Sequence, residues 1–595
     1  MANTPTFDLD AFGNVPMNCM TLIAGRAASA TGHVLVGHNE DDGGHIVVRH
    51  GYVRPRDWAA GAAMPAEKGC ASIPQAAHTL GYYWVEYRKD ETGLSNADGF
   101  VNECGVVITS NSMGTSRESA DNAACVKDGG IAYNLRRALA ERAQTARDGA
   151  RILMELVDEW GYAPSGRAYT IADQSEAFMF QLARGRHYMG ARVPDDAIAV
   201  MPNHFNLHGL NDYPEQFYPA DLVTYAVSRG WYKPAKDGDF SDFDFAKAYQ
   251  AEDEFFGPRN VMRQKNGLRI ALDRPWSVEK EGMPFCVKAD HPMSAMRMAD
   301  ILSSHYEGTH DCCAHFGPGL SPHDASSIRY ICTGTTLESD LFILRDDPRL
   351  TTVFSAFGRP CQLPYIPLHP LLGLPESLSP MADAPSSMVN HLRSVPGSSC
   401  FADTPWWRLR GIECTADMLY SSVADDLRAL LVRMLNQQLD ADEHLIAKLA
   451  QYLQDGDEAA ARALSLESDD NAICSALRTL EDFACAAFDT VQVDPLPTLA
   501  LHPAEHERVR LTLHTDHTLI PDAMAFGVAH TNVKLSFAPL LPDALTDCGN
   551  GVYTAEFDAQ KLVSLITSSG RYLFILGGRC EGGKPFAGIT TVEMR

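Results

Sequence analysis

The chain has 595 residues, 45% of them hydrophobic, with 50 basic against 76 acidic side chains and a formal net charge of −26. One core cannot serve a chain of that length, and the size prior gives about three or four structural units. The charge repels phosphate backbones and anionic lipid, so nucleic acid and membrane surfaces are not expected as partners, and no apolar run reaches the roughly 20 residues of a bilayer span.

The first eighteen residues, MANTPTFDLDAFGNVPMN, have neither a basic n-region nor an apolar h-region. They do not read as a secretory signal, so the cytoplasm is the expected compartment. The 15 cysteines are odd in number and scattered, which fits reduced thiols better than a disulfide scaffold. There is no CxxC, no HExxH and no Walker or dinucleotide glycine loop, and HTDH (His514, His517) and HGYVRPRD lack ligand spacing. Neither a metal site nor an organic cofactor is expected. A homo-oligomer is compatible with the composition.

In chain order, CMTLIAGRAASATGHVLVGHNEDD from Cys19 gives two apolar runs around a turn at Thr31 and Gly32, a hairpin signal. LGYYWVEYR and GFVNECGVVITSN give a further strand pair, the second broken at an Asn-Glu-Cys-Gly turn. The next stretch places Ile131, Leu135, Ala138 and Leu139, then Ile152, Leu153, Leu156 and Val157, at helical spacing, with a break expected near Gly149. RAYTIADQSEAFMFQLARGRHYMGARVPDDAIAVMPN then alternates short strands with turns. Strands, helices and strands again argue for a layered α+β domain and against a parallel βαβ sheet.

The proline-rich stretch from about 360 to 405 is a candidate boundary. From about 415 to 490 the chain reads as helical, in ADDLRALLVRMLNQQLD and EHLIAKLAQYLQDGDEAAARALS. Beyond VDPLPTLALHPAEH the segments RVRLTLHTDHTLI, VKLSFAPLL, GVYTAEF and RYLFILGGR predict a β-sandwich of about 100 residues. The expected division is 1–18, a propeptide; 19–405, the catalytic domain; 406–490, a helical segment completing it; and 495–595, the β-sandwich.

Cys19 stands at the head of the first strand. A lone intracellular cysteine is most often a small buried hydrophobe, but here the second strand ends in Asn39, Glu40 and Asp41, which the hairpin returns beside it. A thiol becomes a nucleophile when a nearby base takes its proton. NCMTLIAGRAASATGHVLVGHNEDD resembles the opening of the dipeptidase A-type family of cysteine N-terminal nucleophile (Ntn) hydrolases. GFVNECGVVITSNS, the segment YTIADQSEAFMFQLARGRHYMGARVPDDAIAVMPNHF, HYEGTHDCC, RYICTGTTLESDLFILR and PWWRLRGI continue the likeness in order, from about 19 to 490.

The resemblance implies an αββα sandwich of two antiparallel sheets between helical layers, followed by the helical segment and a C-terminal β-sandwich. It implies that Cys19 attacks an amide carbonyl and that its own α-amino group, which ordinarily titrates at about 7.7–8.0, takes the proton. It maps Asp41 onto the aspartate that holds this amine, with His38 where relatives carry arginine. Asn203 matches an oxyanion donor, Asn111 a second active-site asparagine, and Arg259 the late active-site arginine. Bland readings stand beside these: a turn or cap for Asn203, a strand end for Asn111, a surface charge for Arg259, a solvated turn carboxylate for Asp41, and core packing for Trp406 and Trp407. Glu40 and His38 are candidates for holding the substrate, a small peptide whose free amine suits a carboxylate. The function implied is dipeptide hydrolysis through a thioester, with the leader removed autocatalytically. The alternatives are an Ntn acylase acting on another N-acyl amide, as in bile-salt hydrolases and penicillin V acylases, and a secernin-like binding protein.

Overall fold

The structure is a computed structural model that describes residues 19–42, 46–64, 67–89, 95–113, 116–251, 258–312, 321–324, 329–378, 405–496, 498–520, 525–530, 535–538, 540–563 and 570–595. The expected propeptide and most of the proline-rich connection lie outside the described residues.

Strands Met20–Ala24 and Val34–Asp41 form the expected hairpin, with Thr21 opposite His38 and Met20 opposite Asn39. They sit inside a seven-stranded sheet in the spatial order Cys286–Lys288, Ala197–Met201, Met20–Ala24, Val34–Asp41, Thr336–Leu344, Thr352–Ala356, Ile366–Leu368. A second, eight-stranded sheet runs Gln216–Phe217, Tyr188–Val193, Ala177–Gly185, Tyr162–Ala172, Val107–Ser112, Ser95–Asn102, Tyr82–Lys89, Ile46–Val53. Every pairing in both sheets is antiparallel, as the strand–helix–strand order requires.

Alternation along the strands divides the burial between layers. In the first strand Ile23 points between the sheets, where it joins Val36, Val85, Met179 and Phe342. Leu22 points the other way, onto Leu268, Ala271, Met298 and Ile301 of helices Pro258–Leu272 and Ala295–Leu302. On the far side, helices Asn134–Arg142 and Ala146–Trp160 lay Leu135, Leu139, Leu153 and Val157 against Ile108, Ile171 and Phe180. The order is therefore helix, sheet, sheet, helix: the expected αββα sandwich.

The break between those last two helices differs from the sequence reading. It falls at Ala143–Thr145, where Thr145 adopts an extended backbone and its side chain accepts from the Asp148 N–H as an N-cap. Gly149 lies inside the second helix, where a Cβ would stand 2.8 Å from Ile171 Cγ2. The glycine permits close helix–sheet approach and breaks nothing.

Three helices follow the proline-rich connection, Pro405–Met418, Tyr420–Gln454 and Glu458–Ala487. Trp406 is core, as its doublet suggested. The two long helices turn back on each other at Gly456, whose φ of +77° suits glycine, and Asp457 caps the second by accepting from Ala460 N–H. They are tied to the seven-stranded sheet by buried His369, whose Nδ1 lies 2.7 Å from Asp469 Oδ1 and whose Nε2 lies 2.8 Å from Asp442 Oδ1.

The C-terminal region is a sandwich of five and four strands. Leu511, Leu513, Phe557, Phe574, Leu576 and Phe586 fill it. It also contains strands Ala544–Gly549 and Pro585–Met594, which the sequence reading did not separate. No helix among the described residues is long and apolar enough to cross a membrane.

Candidate active site

Period-two alternation places the groups around Cys19. The main chain just before Met20 turns the Cys19 side chain into the space between the sheets with Thr21, and even-numbered His38 and Glu40 of the neighbouring strand face the same way. Cys19 is fully buried. Its Sγ lies 3.5 Å from Glu40 Oε2 and 3.9 Å from the Asp41 carbonyl oxygen. Glu40 Oε2 lies 3.1 Å from His38 Nε2, and His38 Nδ1 lies 2.9 Å from Thr21 Oγ1. Thr21 Oγ1 in turn donates to Asn111 Oδ1 at 2.6 Å, joining the two sheets across the interior.

Asn111 and Asn203 form the opposite wall. Asn111 Nδ2 donates to the carbonyls of Met201, at 3.1 Å, and Pro202, at 3.4 Å. It thereby holds the chain just before Asn203, and each of its amide atoms is engaged. Asn203 Nδ2 gives one hydrogen to the Ser112 carbonyl at 2.7 Å, and a side-chain amide carries a second hydrogen.

Among the described side chains, the arginine that reaches Cys19 is Arg263. Its Nη2 donates to the Cys19 carbonyl at 2.9 Å and its Nη1 to Asn203 Oδ1 at 2.6 Å, bracketing nucleophile and asparagine with one buried guanidinium. Arg259, expected in that role, begins the same helix one turn earlier, and its side chain lies outside the described residues. A helix repeats its face every 3.6 residues, so positions 259 and 263 share a side. Arg263 thus stands one turn on from the expected position, on the same side of the helix.

Asp41, odd-numbered, points away from the inter-sheet space toward the helical layer. Its Oδ2 accepts from Thr333 Oγ1 at 3.1 Å, while Oδ1 is buried with no hydrogen-bond partner among the described residues. Asn39 faces the same way and donates to the Leu302 and Ile331 carbonyls at 2.9 and 3.3 Å. Thr21, Arg263 and Thr333 carry no motif that a reading of the sequence could use; only the pairing of distant elements reveals them.

The electrostatics resist a free thiolate. Burial, then the charges of Glu40 and Asp41, push the Cys19 thiol well above its usual range, and Arg167 only partly offsets them. Burial likewise lifts Asp41 to about 7, against the lowering pull of Thr336, Arg263 and Thr333. His38 is raised: burial opposes its charge, but the hydrogen bond to Glu40 and the nearby carboxylates outweigh it. Burial, the largest influence, holds Arg263 below the ordinary arginine value, with Tyr306, Asp41 and Cys19 pulling the other way. A thiol so placed needs a base that takes its proton at the moment of attack.

Known proteins share much of this sequence. Over 376 residues the chain is 24% identical to a protein of Salmonella dublin named probable dipeptidase, covering 59% of this chain and 80% of that one. It is 23% identical over 339 residues to dipeptidase A of Lactobacillus helveticus, covering 55% and 69%. Among solved structures, a variant of conjugated bile acid hydrolase from Clostridium perfringens matches 57% of this chain and 89% of its own at 10% identity and a TM-score of 0.27. The family description of peptidase family C69 matches residues 18–372, from the residue before Cys19 through both sheets of the sandwich, and the chain belongs to that family.

Proposed function

We propose that this chain is a cysteine dipeptidase that cuts the amide bond of dipeptides or short peptides through a thioester on Cys19, after the Asn18–Cys19 bond has been cleaved. The observation that carries the reading is Asp41. A buried carboxylate oxygen without a partner is costly, and Asp41 Oδ1 is one, in the residue whose carbonyl touches Cys19 Sγ. The neutral α-amino group of a freed Cys19 would supply the missing donor, and the positive charge it takes on when it accepts the thiol proton would favour the ionised carboxylate.

The freed amine then takes the Sγ proton as sulfur attacks the scissile carbonyl carbon. The second Asn203 N–H, oriented through Arg263, is the donor for the oxyanion, a contribution typically worth about 100- to 1000-fold in rate. Collapse breaks the C–N bond, and the α-ammonium returns the proton to the leaving amine. Water, deprotonated by the same amine, attacks the thioester, and Cys19 leaves as the thiol with that proton. Glu40, with its carboxylate turned into the inter-sheet space and His38 holding it, is the group suited to the free amine of a dipeptide. In the uncut chain the same thiol attacks the Asn18 carbonyl and its proton passes to the peptide nitrogen of Cys19, which leaves as the amine; hydrolysis of the resulting thioester releases the leader.

Intact-mass measurement on the purified protein, paired with dipeptide turnover, tests this. The expected result is a chain beginning at Cys19 in the active fraction, and a Cys19→Ala variant that keeps residues 1–18 and has no turnover above background. Full activity from molecules that all retain the leader, or from Cys19→Ala, would overturn it.

A further inference from the structure

Behind the strand that carries Asp41, four side chains from four separate segments converge. His305 follows helix Ala295–Leu302, His323 lies in the turn Pro322–Asp324, Cys332 precedes strand Thr336–Leu344, and Cys361 follows strand Thr352–Ala356. Their ligand-capable atoms all lie within 4.8 Å of one another. His305 Nε2 and His323 Nε2 are 3.2 Å apart, and Cys332 Sγ and Cys361 Sγ are 3.4 Å apart. His323 Nε2 lies 3.3 Å from Cys361 Sγ and 3.9 Å from Cys332 Sγ.

These are close to the edges of a metal tetrahedron. Zinc at about 2.3 Å from sulfur and about 2.0–2.1 Å from nitrogen needs edges of about 3.8 Å between sulfurs, about 3.3 Å between nitrogens and about 3.6 Å between sulfur and nitrogen.

The outer contacts fix which atoms are free to ligate. His323 Nδ1 is 2.5 Å from Asp417 Oδ1, and His305 Nδ1 is 3.3 Å from Glu307 Oε1. A carboxylate at Nδ1 places the ring proton there and leaves Nε2 as a bare lone pair, the arrangement found behind metal-bound histidines. Two such lone pairs pointing at each other across 3.2 Å repel, and the thiols beside them, 3.3 and 3.9 Å from His323 Nε2, offer only weak S–H donors. A cation at the centre would satisfy both nitrogens and both sulfurs at once.

We propose that His305, His323, Cys332 and Cys361 form a closed Cys2His2 zinc site. Two thiols give up their protons on binding, so one Zn2+ with two thiolates and two neutral imidazoles carries no net charge, which suits a buried position. A cleft of about 290 Å³ lined by His305, Glu307, Cys361 and Tyr420 opens beside it and offers an entry path. With four protein ligands no position is left for substrate, so the site is structural.

What it would hold is the frame of the nucleophile strand. Next to Cys332, the Ile331 carbonyl accepts from Asn39 and Thr333 Oγ1 donates to Asp41. Asp417, behind His323, belongs to the helix after the proline-rich connection. The metal thus joins a helix of the sandwich, two strands and the C-terminal helices. The sequence expectation of no metal site missed it because the four ligands lack the two-to-five-residue spacing that zinc motifs show.

The test is metal analysis of the full chain purified without chelator from zinc-supplemented cells. About one zinc per chain is expected, in a first shell of two sulfurs and two nitrogens by X-ray absorption, and Cys19→Ala should keep that zinc. Cys332→Ser and Cys361→Ser should each lose most of it. If these variants do not fold, the wild type still decides: stripping zinc with a strong chelator should lower its melting temperature, and adding zinc back should restore it. Folded wild-type protein with less than about a tenth of an equivalent of zinc and a melting temperature indifferent to zinc would overturn the proposal. So would a native Cys332–Cys361 disulfide.

Discussion

In the N-terminal sandwich, His38, Glu40, Asp98, Arg167 and Glu338 of the two sheets and Arg136 of the helix that covers one of them are each at most 2% exposed. Between the two sheets of the C-terminal sandwich the described core is Leu, Val, Phe, Ala, Tyr, Met and Cys580, with Thr590 the one buried polar side chain among its described residues. Both regions solve the same packing problem, two antiparallel sheets face to face, and they fill it with different chemistry. Buried ion pairs are often no better for stability than apolar residues of the same size. A sandwich that has only to be stable therefore needs none. Their concentration around Cys19 suits the proposed function, in which that interior receives a charged or polar substrate group.

The comparison is broken most severely by splitting one buried pair. Arg136 Nη1 lies 2.5 Å from Asp98 Oδ2, which also accepts from Ser110 Oγ at 2.7 Å. Arg136→Met leaves a buried carboxylate without its cation and should cost about 3–5 kcal/mol in urea unfolding. Adding Asp98→Leu should return most of that loss, because the pair is then replaced and not halved. A double variant no more stable than the single one would mean that the charges hold this sandwich together, and the contrast with the C-terminal sandwich would then not be one of function.

The next effect is at the edge of the other, seven-stranded sheet. His369 is raised to about 10: burial opposes its charge, but Asp469 and Asp442 on either side overcome it. A folded-state pKa above the unfolded value of about 6.5 gives stability that is fully present below about pH 6.5 and lost as pH rises through about 10. Asp469 is itself held up by burial, which reduces the net gain to about 2–4 kcal/mol. The check is the difference in urea midpoint between wild type and His369→Gln at pH 7 and at pH 10.5. It should shrink at the higher pH, and a constant difference would remove His369 as the cause.

Most of the layered architecture is legible because antiparallel sheets with one face on a core write a period of two, and amphipathic helices a period of about 3.6, into the sequence. Cys19, Asp41, Asn111 and Asn203 can be placed at one end of the sandwich because Cys19 heads a strand and the others end or follow the strands beside it. The failures are of another kind. Arg263 goes unnamed, since helical periodicity gives a face and not a height along it. The break at Thr145 is mistaken for one at Gly149, because a glycine that permits close packing and one that breaks a helix look alike in sequence. Thr333, His323 and Cys361 come to their partners through tertiary pairing between distant segments, which no local pattern encodes.

The smallest expected effect sharpens the comparison from the other side. Arg510 Nη2 lies 2.6 Å from Glu556 Oε1 on neighbouring strands of the C-terminal sandwich, with side chains 67% and 31% exposed. Water and salt screen such a pair, and fixing two long side chains costs entropy, so exposed pairs contribute about 0.2–1 kcal/mol. The pair is also on the outer face of its strand, where Val509 and Leu511 alternate inward. Arg510→Ala should therefore shift the urea midpoint only slightly at low salt and not measurably at 1 M salt. A loss approaching that of Arg136→Met would place structural charge in the sandwich whose described interior has none, and the division between an apolar sandwich and a charged one would fail.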